Sequence, residues 1–186
     1  MRIVLASASP RREELLRRIV TDFDIVPSAI EEPRHGRATW RVLEAARLKA
    51  LDVAGRASGI VIGADTIVVQ RSLVLGKPAS REAAAKMLRR LSGRTHSVLT
   101  GLCVVATERG AERTAVERTR VHFRPLSERE ISSYLDCGEY ADKAGAYAIQ
   151  GRAARFVDRI RGDFTNVMGL PVSRLTLLLR DLGLDV

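Results

Sequence analysis

The chain has 186 residues, enough for one ordinary domain, and 46% of them are hydrophobic, enough for a proper core. No apolar run approaches the roughly 20 residues that span a bilayer, and with no low-complexity or repeated segment the chain reads as neither disordered nor a repeat array. Net charge is +9 with 27 Arg against 4 Lys, while aromatic residues are only 4%, too few for the stacking platforms of a single-strand binder; the charge therefore suits small anionic ligands or plain compositional bias better than specific nucleic-acid recognition.

Residues 2–6 (RIVLA) read as a short buried strand. Ser9 as N-cap and Pro10 at the first helical position open a helix to about Val20. The apolar stretch Ile3 to Ala6 is far too short for a signal-peptide core, so a cytoplasmic protein is expected. A short apolar strand precedes Glu31-Glu32. Thr39 to about Gly55 is a helix whose apolar stripe is expected to be Trp40, Leu43, Ala46, Ala50 and Ala54. Arg47 falls inside that stripe, and it either snorkels to the edge or faces a site. Gly59 to Val69 (GIVIGADTIVV) is broken only by Gly63, Asp65 and Thr66, as in a strand buried on both faces. Ser80 caps a helix to about Leu91. Ser97–Thr107 and Ala115–Phe123 are two strands around a turn at Gly110. Ser127 and Glu130 form a capping box for a helix to about Cys137. Ala146–Gln150 and Ala154–Ile160 read as short strands, and Val172–Leu182 as a closing helix stopped by Gly183. The pattern predicts a mixed α/β sheet, with no linker and so a single domain over residues 1–186.

Several places carry chemistry. Ser7-Ala8-Ser9-Pro10-Arg11-Arg12 follows a strand. A helix N-terminus holds about half a positive charge, so two arginines in the first turn make sense if an anion sits there. The alternative is a capped helix whose arginines reach solvent and pair with Glu13 or Glu14. Asp65 within a buried strand is costly unless a metal or a catalytic role offsets its desolvation; otherwise it is a strand-end aspartate capping a loop. Two adjacent acids such as Glu31 and Glu32 are common on surfaces, but together with Asp65 one or the other would supply the hard oxygen ligands that Mg²⁺ prefers. His35, His96 and His122 lack zinc spacing, and Cys103 and Cys137 form no CxxC and read as reduced thiols. In so arginine-rich a chain each lysine stands out, because arginine cannot mimic a compact ammonium in a tight site. Lys86 lies in an ordinary amphipathic helix. Lys77 sits in Leu75-Gly76-Lys77-Pro78, which is not a P-loop. Gln150 ends DKAGAYAIQG, and its amide is either a cap or a reader of a base edge.

SASPRR, the EE pair, RLKA, GADTIVV, GKP, LSGRTHSVLTG, DKAGAYAIQG and NVMGLPV occur in order over nearly the whole chain. In this the sequence closely resembles the Maf family of nucleotide pyrophosphatases, which in turn resemble the inosine-triphosphate pyrophosphatases in fold. The resemblance implies an elongated central sheet flanked by helices, two lobes with a cleft, a homodimer, and cleavage of the α–β phosphate bond with a divalent cation, Mg or Mn. By position, Asp65 matches the family's proton acceptor and Glu31 and Glu32 its acidic pair. Arg11, Arg12, Lys49 and Lys77 match basic residues along the phosphate cleft, and Lys143 lies in the DKAGAY motif. One branch, acting on dTTP and UTP, reads SPRR, GADT and IQG; another, acting on 7-methyl-GTP, reads SPWR, GSDQ and SEG. Arg11, Thr66 and Gln150 match the first. A glutamine amide offers both donor and acceptor, which suits O4 and N3–H of thymine or uracil.

Overall fold

A computed structural model describes residues 2–185 of the chain. Among them, seven strands form one mixed sheet. They are β1 (Ile3–Leu5), β2 (Asp24–Ile25), β3 (Ile60–Gln70), β4 (Leu73–Leu75), β5 (Thr95–Ala106), β6 (Ala111–Phe123) and β7 (Val157–Arg161). The order is β2-β1-β3-β5-β6-β7, with β4 beside β3. The helices are α1 (Pro10–Leu16), α2 (Ala38–Ala54), α3 (Arg81–Leu91), α4 (Glu128–Leu135), α5 (Phe164–Met168) and α6 (Val172–Arg180). No helix among the described residues is long and apolar enough to cross a membrane.

The chain divides into two compact units. The first holds the described residues up to Thr66, Thr100–Glu117, and those from Gly169 onward. Here β1 lies parallel to both β2 and β3, with Val4 opposite Asp24 and Val61. Val4, Ala6, Ala46, Ala50, Val53, Val61, Cys103 and Val105 close a core between α2 and the sheet. The helix lies unusually close. A methyl group on Gly63 would fall 2.2 Å from the Ala46 carbonyl oxygen, and one on Gly101 would fall 2.1 Å from that of Val42. Only glycine on the strands lets helix backbone come so near. This contact sets the phase of α2. Its buried residues are Val42, Ala45, Ala46, Ala50 and Val53, whereas Trp40 of the expected stripe is 52% exposed. Ala46 and Ala50 of the expected stripe are buried, but Trp40 is exposed and Leu43 and Ala54 are half-buried, so the face is turned toward Val42, Ala45 and Val53, with the two alanines seated on the glycines. Arg47 snorkels to the helix edge and pairs with Glu112 at 2.8 Å.

The second unit comprises Ile67–Leu99 and Arg118–Met168. The end of β3 pairs antiparallel with β4, and the end of β6 with β7. Ser80 accepts the Ala83 N–H, and the Ser127–Glu130 capping box is complete, as expected. Phe123, Tyr134, Tyr147, Phe156 and His96 pack edge-to-face. The strand expected over Ala146–Gln150 is absent. Ala144–Ala146 form a 3₁₀ turn, with Gly145 at φ 71° and Ala146 at φ 62°. These left-handed residues cannot extend, and the Ala148 N–H donates to the Tyr134 hydroxyl rather than to a neighbouring strand. Arg152–Phe156 is likewise 3₁₀, so the strand expected from Ala154 begins only at Val157. Helix α1 ends at Leu16, one turn short of Val20.

Candidate active site

In the first unit, helix α2, the loop that carries Glu32 and the first turn of α1 come together around Asp65 of β3. Asp65 lies in the middle of β3, which continues to Gln70, so it is not a strand-end cap. Its side chain is 10% exposed. Lys49 reaches it from α2, with Nζ 2.7 Å from Asp65 Oδ1 and 2.5 Å from Glu32 Oε1. The Lys49 side chain is only 13% exposed, while Glu32 arrives from a loop and is half open to solvent. Arg41 donates to the Pro33 carbonyl at 3.1 Å and pins that loop to α2. Glu31 is exposed and makes none of these contacts.

The two carboxylates are held differently. Burial is the largest influence on Asp65 and pushes its carboxyl above the ordinary range; Lys49 pulls the other way, and the charge of Glu32 adds to the rise. Burial also acts to raise Glu32, but its hydrogen bond with Lys49 and the charge of that ammonium bring it below the ordinary range. The pair therefore consists of one carboxylate that gives up its proton readily and one that holds it more tightly. Such a split is a common mark of acid–base chemistry.

Beside this pair, Arg12 spends its guanidinium inside the protein. Nε donates to the Gly169 carbonyl at 2.9 Å, Nη1 to the Ser7 hydroxyl at 3.2 Å and Nη2 to the Thr66 hydroxyl at 3.2 Å. Thr66 also shares a 2.9 Å hydrogen bond with Thr100. Burial lowers the pKa of Arg12, against the attraction of Asp65 and Glu32. Pro10 opens α1 as expected, but Ser9 at the N-cap makes no side-chain cap; instead the Ser9 N–H donates to Ser7 Oγ at 3.2 Å. Glu13 and Glu14 pair with Arg17 and Arg18 one turn on. Arg11 is half-buried in the same first turn.

Ser7, Arg12, Glu32, Lys49, Asp65 and Thr66 thus come together, with Ser9 and Arg11 on the adjoining turn. Lys77, Lys143 and Gln150 belong to the second unit. There the GKP and DKAGAY motifs meet: Lys77 pairs with Asp142 at 2.7 Å, and the Gly145 N–H donates to the Gly76 carbonyl at 3.1 Å. Lys143 is half-buried just before the 3₁₀ turn, and Gln150 is exposed in the turn that follows. Sequence reasoning missed Thr100 and the Gly169 carbonyl. Both lie in motifs quoted above, LSGRTHSVLTG and NVMGLPV, which was the available signal.

A family model described as "Maf-like protein" matches residues 2–182. The chain belongs to the Maf family. It is 48% identical to a "dTTP/UTP pyrophosphatase" of Thermococcus gammatolerans over 99% of this chain and 98% of that one. It is 51% identical to a "dTTP/UTP pyrophosphatase" of Moorella thermoacetica over 100% of this chain and 97% of that one. Among solved structures, a dITP/XTP pyrophosphatase of Mycobacterium abscessus matches with a TM-score of 0.48 at 19% identity, covering 68% of this chain and 76% of that one. The Ham1 protein of Staphylococcus aureus gives a TM-score of 0.49 at 15% identity, covering 66% of this chain and 72% of that one.

Proposed function

We propose that the chain hydrolyses dTTP and UTP to the nucleoside monophosphate and pyrophosphate, with Asp65 as the catalytic base. The observation that carries the reading is the Asp65 carboxylate, buried in mid-strand and joined through one ammonium to Glu32. Full-length relatives named dTTP/UTP pyrophosphatase at about half identity support the substrate.

In the reaction, Asp65 orients a water molecule and accepts its proton as the oxygen attacks the α-phosphorus. The bond to the β-phosphate breaks and pyrophosphate departs. Lys49 and Arg11 supply positive charge for the phosphates, while Arg12 and Ser7 hold the first turn of α1 in place. The raised pKa of Asp65 suits a base, which must hold the proton long enough to matter.

For a divalent cation, Mg or Mn, two of the three expected carboxylates are at hand, since no group of three or more His, Cys, Asp or Glu that could hold a metal comes together among the described residues. Two hard carboxylate oxygens already converge on a single cation, the Lys49 ammonium, at 2.5 and 2.7 Å. Glu32 and Asp65 would hold the metal, and Glu31, exposed and apart from them, would not. When bound, the ion would neutralise charge on the triphosphate. For the base, the Gln150 amide supplies a donor and an acceptor, and the Tyr134 and Gly76 contacts hold its loop.

A panel of nucleoside triphosphates, assayed with Mg²⁺ and Mn²⁺ for pyrophosphate, tests the reading. Release of orthophosphate in place of pyrophosphate would make this a phosphatase. A preference for 7-methyl-GTP would overturn the base assignment.

A further inference from the structure

We propose that Lys49 is the resident counter-ion of the Glu32–Asp65 pair, and that it must give up that place for a divalent metal to enter. The inference rests on the metal reading above and adds to it a competitor built into the chain.

Three observations carry it. Nζ of Lys49 bonds both carboxylates at once, at 2.5 and 2.7 Å, so the ammonium stands where their oxygens converge. A second cation placed at the same oxygens would lie against the first, and like charges in a poorly solvated site repel strongly. The helix that delivers Lys49 is held by the core it buries, where Ala46, Ala50 and Val53 pack with Val4, Val61, Cys103 and Val105, and lifting it would open that core to water. Any departure must therefore come from the side chain, and a four-carbon stem carrying a compact point charge can swing where a planar guanidinium cannot. This gives a reason for a lysine at this position in a chain with 27 Arg and 4 Lys. The ammonium, once displaced, becomes available to a phosphate oxygen. Metal and triphosphate then favour each other's binding, and in the free protein the metal binds against the resident lysine.

The test is Mn²⁺ binding without nucleotide, followed by calorimetry on wild type, Lys49→Gln, Lys49→Arg and Glu32→Gln. Lys49→Gln should bind Mn²⁺ about tenfold more tightly than wild type, equivalent to about 1.4 kcal/mol. Its metal-free melting temperature should fall, and Mn²⁺ should restore it. Lys49→Arg keeps the charge and should bind no more tightly than wild type. Glu32→Gln should bind more weakly. If Glu32→Gln weakens binding but Lys49→Gln does not strengthen it, Lys49 is no competitor and the proposal is overturned. If Glu32→Gln binds as wild type does, the metal lies elsewhere, and the metal reading falls with the proposal. A second measurement needs no variant. The chain's four lysines give four ¹³Cε signals, and Mg²⁺ alone should move that of Lys49 and leave those of Lys77, Lys86 and Lys143 in place. An unmoved Lys49 signal at saturating Mg²⁺ overturns the proposal whether or not Lys49→Gln folds.

Discussion

Gly63→Ala tests the geometry on which the candidate site depends. The new methyl carbon would sit 2.2 Å from the Ala46 carbonyl oxygen, 2.8 Å from the Ala50 nitrogen and 2.9 Å from the Ala50 Cβ. Real Cβ atoms essentially never come within 3.0 Å of such neighbours, so α2 must lift by about 0.8 Å at Ala46. Two of the three obstacles are backbone, which no rotamer change can clear. Overpacking of this kind costs roughly 1–3 kcal/mol, and obstruction by backbone puts it near 3. For a chain of this size that is a fall of about 6–12 °C in melting temperature. Lys49 rides on the same helix. Asp65 lies two residues along the same strand from Gly63, so the strain reaches the carboxylate itself and turnover should fall together with stability. Gly55→Ala is the control. Gly55 ends α2 at φ −68°, and a methyl there meets only ordinary contacts at 3.6 and 3.7 Å. Calorimetric melting and pyrophosphate release should separate the two variants. A Gly63→Ala protein that melts within about 2 °C of wild type would show that the helix does not rest on the strand as described.

Asp65→Asn keeps shape and removes the base, so turnover should fall at least about 10²-fold in a pyrophosphate assay, with the protein still folded; a near-normal rate removes Asp65 from the role. Burial should also raise the Asp65 carboxyl above the ordinary carboxylate range in the metal-free protein, and a carboxyl ¹³C titration without metal that puts it at or below that range would contradict the burial argument. His96 is held neutral by burial, its pKa pushed down to about 4 from 6.5. A depressed folded-state pKa contributes stability that is complete above 6.5 and is lost as pH falls through 4, about 3 kcal/mol in all. Urea midpoints should drop across that window, and the drop should shrink in His96→Phe; an equal drop in both proteins would assign it to other groups. For Gln150→Glu, kcat/KM for dTTP and UTP should fall ten- to a hundredfold, at roughly 1–3 kcal/mol per mismatched partner, while a ranking unchanged against CTP and 7-methyl-GTP would take base reading away from Gln150.

Features whose partners lie within a few residues could be read from the sequence. The Ser127–Glu130 box, the Ser80 cap and the Gly110 and Gly183 turns all formed where the local residues placed them. Such bonds close inside one turn, so the side chains that make them are adjacent in sequence. The same holds for the continuous apolar run of β3, whose composition alone placed Asp65 inside buried backbone and marked it for chemistry. Local propensity failed at Ala146–Gln150, where Gly145 and the hydroxyl of Tyr134, 14 residues away from Ala148, overrode an apolar run. Tertiary structure alone decided which polar groups meet. Lys49 finds Asp65 and Glu32 from 16 and 17 residues away, and Arg12 finds the Gly169 carbonyl from 157. Periodicity says that a helix has an apolar face but not how it will rotate on its sheet. Gly63 and Gly101, by the side chains they lack, let α2 settle on its alanines, and that rotation delivers Lys49 to Asp65.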